Sequence, residues 1–183
     1  MLQINFAPFP DLETQRLSLR RITPEDANEV FALRSNKDTM KYIPRPIAKT
    51  LADALEHIAT MDATIDKNEG INWAITLKDS TTLIGMIGHY RIQPQNYRAE
   101  VGYILHPDHH NRGYISEALK KVIAYGFGPM KLHSIEAVID PNNTISEKVL
   151  LKNGFIKEAH FIENHFYNDH FLDTAIYSLL NKS

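Results

Sequence analysis

The sequence predicts a mixed α/β fold in which a central, largely antiparallel sheet carries helices on both faces. Three observations support this class: segments with strand-like alternation dominate the middle and the end of the chain, amphipathic helical segments lie between them, and one strand–helix–strand unit follows an antiparallel meander. Because a helical crossover joins parallel strands with a right-handed turn, residues 99–139 predict one parallel pair in this sheet.

The individual elements follow from alternation, capping residues and turn residues. Alternation predicts strands at residues 16–22, 72–77, 82–91, 99–105, 133–139, 155–159 and 171–179. Thr23 with Pro24 begins one predicted helix, and Thr50 begins another that extends toward Asp66. A third helix is predicted over residues 116–125, ended by Gly126 and Gly128, and a short fourth helix follows the turn at residues 140–143 and ends at Gly154.

Length and composition restrict the function. A chain of 183 residues with 43% hydrophobic residues predicts one domain over residues 1–183. The net charge of −2 argues against nucleic acid as a partner. The lack of cysteine excludes disulfides, thiolate metal sites and a cysteine nucleophile. Without a signal peptide or a long apolar run, we expect a cytoplasmic protein that does not enter membranes.

The segment from Leu105 to Glu117 is the most informative one. It runs from a strand end through a polar loop into an amphipathic helix, and free backbone N–H groups at such a helix start favour a bound pyrophosphate. Gly113 permits close approach of the backbone, and Arg112 adds a positive charge. On the residues alone, an ordinary βα loop with a solvated arginine is an equally good interpretation, since one glycine is a weak signal. The dinucleotide and P-loop glycine motifs are both absent.

Two motifs resemble the acetyl-CoA signature of the GNAT superfamily of N-acetyltransferases, and in particular the RimJ/RimL-type ribosomal-protein N-terminal acetyltransferases. They are Glu100-Val101-Gly102-Tyr103 and the run from Arg112 to Leu119. Further blocks resemble the family in the same order and extend the likeness over nearly the whole chain: residues 12–17, 140–146, 152–155 and 173–180.

This resemblance implies transfer of acetyl from acetyl-CoA, the co-substrate, to a primary amine by direct attack in a ternary complex. The acceptor would be a protein N-terminus or a small molecule, and the oligomeric state stays undecided. The implied cofactor-binding residues are Tyr103, Ile104, Leu105, His110, Asn111, Arg112, Gly113, Tyr114, Ile115, Ser116 and Asn143. The β-branched Ile115 replaces the family's usual small residue, and we expect it to point toward the core.

Ser146 and Glu100 are the catalytic candidates that the resemblance implies. Ser146 would protonate the leaving thiolate, and Glu100 would act as the general base. Each has a structural alternative: Ser146 as a first-turn residue near an Asn143 cap, and Glu100 as the partner of a neighbouring arginine. A non-catalytic CoA-binding module is the alternative function, and turnover would separate it from an enzyme.

No metal site is expected at the histidines of the phosphate loop. His106, His109 and His110 share one loop, but no carboxylate or further histidine follows at helical spacing. Zinc sites usually need three or four convergent ligands. We therefore predict that these three histidines do not bind a metal.

Overall fold

The computed structural model describes residues 1–182 and contains one eight-stranded sheet in the spatial order β1-β2-β3-β4-β5-β6-β8-β7. The strands are β1 (Leu12–Glu13), β2 (Leu17–Arg21), β3 (Ile71–Leu77), β4 (Leu83–Gln93), β5 (Arg98–Leu105), β6 (Ser134–Ile139), β7 (Ile156–Tyr167) and β8 (His170–Leu180). Within residues 1–182, only β5 and β6 run parallel, and the other neighbouring strands are antiparallel. The predicted mixed sheet with one parallel crossover is confirmed.

Helices cover both faces of the sheet. They are α1 (Ala27–Ser35), α2 (Lys37–Met40), α3 (Leu51–Asp66), α4 (Tyr114–Phe127) and α5 (Thr144–Lys152). Val30 of α1 and Ile58 of α3 pack with Met86 of β4 in one buried cluster. Leu119 of α4 and Leu150 of α5 belong to a second cluster with Trp73. The alternation of the strands thus buries apolar side chains on both sides of the sheet.

The two predicted N-terminal helix starts are present. Thr50 and Asp53 form a reciprocal capping box at α3, with the Asp53 N–H 3.3 Å from the Thr50 hydroxyl and the Thr50 N–H 3.0 Å from the Asp53 carboxylate. Thr23 precedes a short 3₁₀ turn that contains Pro24 and leads into α1. α2, which was not predicted, is capped by Asn36, whose side chain accepts the N–H groups of Asp38 and Thr39.

One predicted helix end is wrong. Gly126 lies inside α4, and the helix continues through Phe127 to a C-cap at Gly128. Position 126 is occupied by glycine because of packing against the sheet and not because the helix ends there. A Cβ on Gly126 would lie 3.0 Å from His89 Nε2 and 3.0 Å from the Ile135 side chain. Glycine therefore allows α4 to approach the sheet closely.

The seventh strand is longer than predicted. β7 extends from Ile156 to Tyr167, whereas alternation predicted only residues 155–159. Most of its side chains are exposed, and its pairing with β8 shifts between Phe161 and His165. A strand with neither face fully buried loses the alternation on which such predictions depend.

None of the helices in residues 1–182 combines the length and apolar character that a bilayer crossing needs.

Candidate active site

A cleft opens where the two parallel strands separate. β5 and β6 pair only from Arg98 opposite Ser134 to Glu100 opposite Glu136. Past that point β5 stays paired with β4 up to Leu105, while β6 stays paired with β8 up to Ile139. Within the described chain, the carboxyl-terminal halves of these neighbours therefore diverge, and the β6-facing side of residues 101–105 lacks a partner strand.

The predicted phosphate loop lies between the end of β5 and the start of α4. Asn111 has φ 59° and Gly113 has φ 76°, so the chain turns sharply before the helix. The six backbone N–H groups from Asn111 to Ser116 find no hydrogen-bond acceptor among residues 1–182, and the first N–H in α4 to do so is that of Glu117, bonded to the Gly113 carbonyl at 3.1 Å. Such a set of free donors at the positive end of a helix can hold an anion.

Ile115 does not obstruct this loop. Its side chain is partly buried and packs against the larger core cluster, as expected from the sequence. The Asn153 Nδ2 donates to the Ser116 hydroxyl at 3.0 Å. Core packing of Ile115 and this hydrogen bond thus hold the start of α4.

Arg16, just before β2, holds the phosphate loop through contacts that the sequence analysis missed. Its Nε lies 2.7 Å from Glu117 Oε2, its Nη1 donates to the Arg112 carbonyl at 3.0 Å, and its guanidinium lies 4.6 Å from the centroid of the Tyr114 ring. Although burial opposes ionisation, hydrogen bonds from Thr14 and Arg16 lower the pKa of Glu117. Arg16 and the loop are 96 residues apart, so no local pattern revealed the contact.

Two of the three loop histidines have side-chain hydrogen-bond partners, whereas His109 Nδ1 is buried and has none among the described residues. His110 Nε2 lies 3.0 Å from the Leu105 carbonyl, and the Asp108 N–H donates to His106 Nδ1 at 3.3 Å. The His106 and His109 rings are 6.3 Å apart. Across the described residues, no group of three or more His, Cys, Asp and Glu side chains is arranged to hold a metal ion.

Asn143 and Ser146 begin α5 beside the cleft. The Asn143 side chain caps the helix by accepting the Ser146 N–H at 3.1 Å, which is the structural role foreseen for it. Ser146 is buried, with 7% of its surface exposed, and its hydroxyl lies 2.8 Å from the Tyr103 hydroxyl. Burial raises the pKa of Tyr103 to about 12, although the hydrogen bond with Ser146 opposes the shift.

Glu100 lies on the other face of β5 from Tyr103, since side chains alternate along a strand. Its Oε2 is 2.8 Å from Arg91 Nη1, so the carboxylate has the arginine partner that the structural alternative predicted. Burial raises the pKa of Glu100; Arg91 opposes this shift and the nearby Glu136 adds to it. The structure therefore gathers the loop, the end of β5 and Ser146 around the cleft, and places Glu100 at its base.

A family model described as an acetyltransferase (GNAT) domain matches residues 16–156, a range that includes the loop, the cleft and the start of α5. The chain belongs to the GNAT family of acetyltransferases. The uncharacterized N-acetyltransferase YoaA of Bacillus subtilis (strain 168) is 38% identical to this GNAT chain over 172 residues, which cover 94% of the chain and 97% of YoaA. The ribosomal-protein-serine acetyltransferase of Escherichia coli (strain K12) is 38% identical over 98 residues, 52% of this chain and 54% of that protein.

A solved GNAT structure supports the same assignment. The acetyltransferase (GNAT family) from Bacillus anthracis superposes with a TM-score of 0.85 at 28% identity, covering 95% of this chain and all of that one. This GNAT protein is therefore an acetyl-CoA-dependent N-acetyltransferase.

Proposed function

We propose that this enzyme acetylates α-amines, such as a protein N-terminus, with acetyl-CoA bound along the β5–β6 cleft and the phosphate loop. The observation that carries the proposal is the continuity of these features: the unpaired side of β5 leads directly into six free amides at the start of α4. An extended polar ligand can add to a strand edge, and a pyrophosphate can sit at a helix start.

The residues present fit this co-substrate. The amides from Asn111 to Ser116 would hold the pyrophosphate, with His110 and Arg112 beside it. Arg16 Nη2 lies close to Gly113, since a Cβ added there would be 3.6 Å from it, so this guanidinium adds charge next to the amides. Backbone groups of Tyr103, Ile104 and Leu105 would pair with the pantetheine arm, and Asn143 would contact it from the start of α5.

The proposed chemistry is direct attack of the amine on the thioester carbonyl. A C–N bond forms, the C–S bond breaks, one proton leaves the nitrogen and one proton reaches the sulfur. Glu100 would accept the first proton, directly or through water, and the burial that raises its pKa makes the carboxylate a better base. Ser146 would supply the second proton, and positioning of both reactants contributes the rest.

An α-amine suits this site better than a lysine side chain. Because its reference pKa is about 7.7–8.0 against about 10.4 for lysine, roughly a tenth to a fifth of an α-amine is already neutral near pH 7. Glu100 is engaged with Arg91, so an acceptor that needs little deprotonation is favoured. The name of the Escherichia coli relative, a ribosomal-protein-serine acetyltransferase, agrees with a protein acceptor.

An acceptor panel tests the proposal. CoA-thiol release is measured with peptides that differ only in a free or blocked N-terminus, each with and without an internal lysine, and with polyamines as a separate class. Mass mapping then locates the acetyl group. We expect acetylation of free N-termini; exclusive acetylation of lysine side chains, or of polyamines alone, would contradict the proposal.

A further inference from the structure

The Tyr103 hydroxyl joins β5 to the first turn of α5 at the mouth of the cleft. It lies 2.8 Å from the Ser146 hydroxyl and 3.5 Å from the Ser146 carbonyl. Tyr103 follows the last β5–β6 pair by three residues, so its side chain stands where the two strands have already separated. Ser146 is buried and Tyr103 is partly buried, and both hydroxyls lie next to the proposed thioester site.

The hydrogen bond between the Tyr103 and Ser146 hydroxyls uses one of their two protons and leaves the other free. Each hydroxyl has one proton, and either oxygen could be the donor in their shared hydrogen bond. When Tyr103 donates to Ser146 Oγ, the Ser146 proton is left for a third partner. The backbone N–H of Ser146 already donates to the Asn143 side chain, so it does not take the place of the hydroxyl proton as a donor to that third partner. Burial keeps the Tyr103 hydroxyl protonated, since its pKa is raised to about 12.

We propose that Tyr103 is a positioning residue that orients the Ser146 hydroxyl so that its proton points at the leaving sulfur of CoA. The inference rests on the proposed function and adds a second residue to its proton donor. As the C–S bond breaks, its electron pair stays on sulfur and takes the Ser146 proton. Glu100 accepts the proton lost by the amine nitrogen and releases it to water, water returns a proton to Ser146, and Tyr103 stays protonated throughout.

The bound product provides a test that needs no acceptor. CoA is titrated in complex with the enzyme, and its thiolate is followed by ultraviolet absorbance. A hydrogen bond to a charged form favours that form, so the thiol pKa of CoA bound to the wild-type enzyme should fall below the reference value of about 8.5. Tyr103→Phe and Ser146→Ala should each raise it by about one unit, and the double variant should raise it no further.

Tyr177→Phe is the matched control. The Tyr177 hydroxyl donates to Glu147, the residue after Ser146, so Tyr177→Phe removes another hydrogen bond between the sheet and the first turn of α5 without touching the hydroxyl pair. We expect an unchanged thiol pKa in this variant. An equal shift in Tyr177→Phe would mean that a loosened helix, rather than the lost hydroxyl, is responsible, and would overturn the inference.

Turnover gives the second readout. In Tyr103→Phe we expect kcat to fall about 10- to 100-fold, with unchanged KM for the amine and unchanged Kd for acetyl-CoA, because only a transition-state contact is weakened. Normal CoA binding together with a wild-type thiol pKa in Tyr103→Phe would reject the role of Tyr103 and leave the proposed function intact. Failure of the wild-type enzyme to bind CoA would reject both. If Tyr103→Phe does not fold, a wild-type thiol pKa in Ser146→Ala would equally reject the inference.

Discussion

At the scale of the single residue, Gly113 shows how backbone conformation determines ligand binding. Its φ of 76° lies in the left-handed region, but a Cβ would meet only Arg16 Nη2 at an ordinary 3.6 Å. The cost of Gly113→Ala is therefore conformational, about 1–2 kcal/mol for a residue with a side chain. Since the loop can relieve this strain by turning its amides, we expect CoA binding to weaken by about 1–3 kcal/mol, the scale of lost hydrogen bonds. Calorimetry measures it.

Gly154 offers the control for this substitution. It has φ 87°, and a Cβ there would meet the Leu179 side chain at 3.5 Å, so Gly154→Ala imposes a similar backbone cost after α5. It should lower the melting temperature without changing the dissociation constant for CoA. Equal losses of CoA affinity in both variants would contradict the assignment of the phosphate loop.

Sequence and structure agree most closely at residues whose role is local. The loop around Gly113 was predictable because a strand end, a polar stretch and a helix start follow one another in the chain. The contact between Tyr103 and Ser146 was not, because it joins residues 43 positions apart and depends on the side of β5 that Tyr103 faces. The Asn143 cap could be read from residue type and position alone.

At the scale of secondary-structure elements, Arg16 links the start of β2 to the start of α4. Arg16→Lys keeps the charge but removes the planar group that contacts Glu117, the Arg112 carbonyl and the Tyr114 ring together. We expect the dissociation constant for CoA to rise about 5- to 10-fold, which corresponds to about one hydrogen bond. Isothermal titration of the folded variant measures it.

Lys78→Met is the comparison for that variant. Lys78 forms a 3.9 Å ion pair with Glu13 between exposed side chains, and its backbone N–H donates to the Arg16 carbonyl at 3.1 Å. Lys78→Met therefore removes a cation next to Arg16 and leaves the Arg16 contacts with Glu117, the Arg112 carbonyl and Tyr114 in place. Exposed pairs of this kind contribute roughly 0–1 kcal/mol to stability. CoA affinity should stay at the wild-type value; if Arg16→Lys also leaves it there, Arg16 does not organise the loop.

Element boundaries were predictable where capping residues mark them and unpredictable where packing decides. Thr50 with Asp53 set the start of α3 to the residue. The predicted end of α4 lies too early because glycine is the usual residue at a helix end. In the structure, the missing side chain of Gly126 instead leaves room for the His89 ring. The predicted β7 is too short because most of its side chains are exposed on both faces, so the sequence lacks the apolar–polar alternation that marks a strand.

At the scale of the whole molecule, buried histidines make stability depend on pH. Burial lowers the pKa of His89 to about 4, although its hydrogen bond with the Val122 carbonyl opposes the shift. Burial and the nearby Arg34 lower the pKa of His57 to about 4. The unfolded chain, with a histidine pKa of about 6.5, binds more protons between these values, so stability should fall as pH decreases from about 6.5 toward 4.

Urea unfolding near pH 7, 6 and 5 measures this decrease in the free energy of unfolding. These pH values lie above the range in which most carboxylates titrate. His89 should account for a decrease on the order of 3 kcal/mol over its full titration, and the partly exposed His57 for less. His57→Gln should reduce the slope and keep the direction. A free energy of unfolding that stays constant over this interval would show that neither histidine is buried in its neutral form.

The separation of β5 from β6 gives the sheet an additional pair of edges in its interior. Amides that face an unpaired edge exchange their hydrogen with solvent, so we expect fast deuterium uptake at alternate residues of 101–105 and 137–139 in the free protein. Uptake should be slower at the residues between them, whose N–H groups face β4 or β8. A ligand that pairs with this edge acts as a ninth, non-peptide strand. At a free ligand concentration of about 100 times the dissociation constant, binding would stabilise the folded protein by about 2.7 kcal/mol. Hydrogen exchange should then slow first at this edge. Uniform slowing across all strands would instead indicate global stabilisation without pairing at this edge.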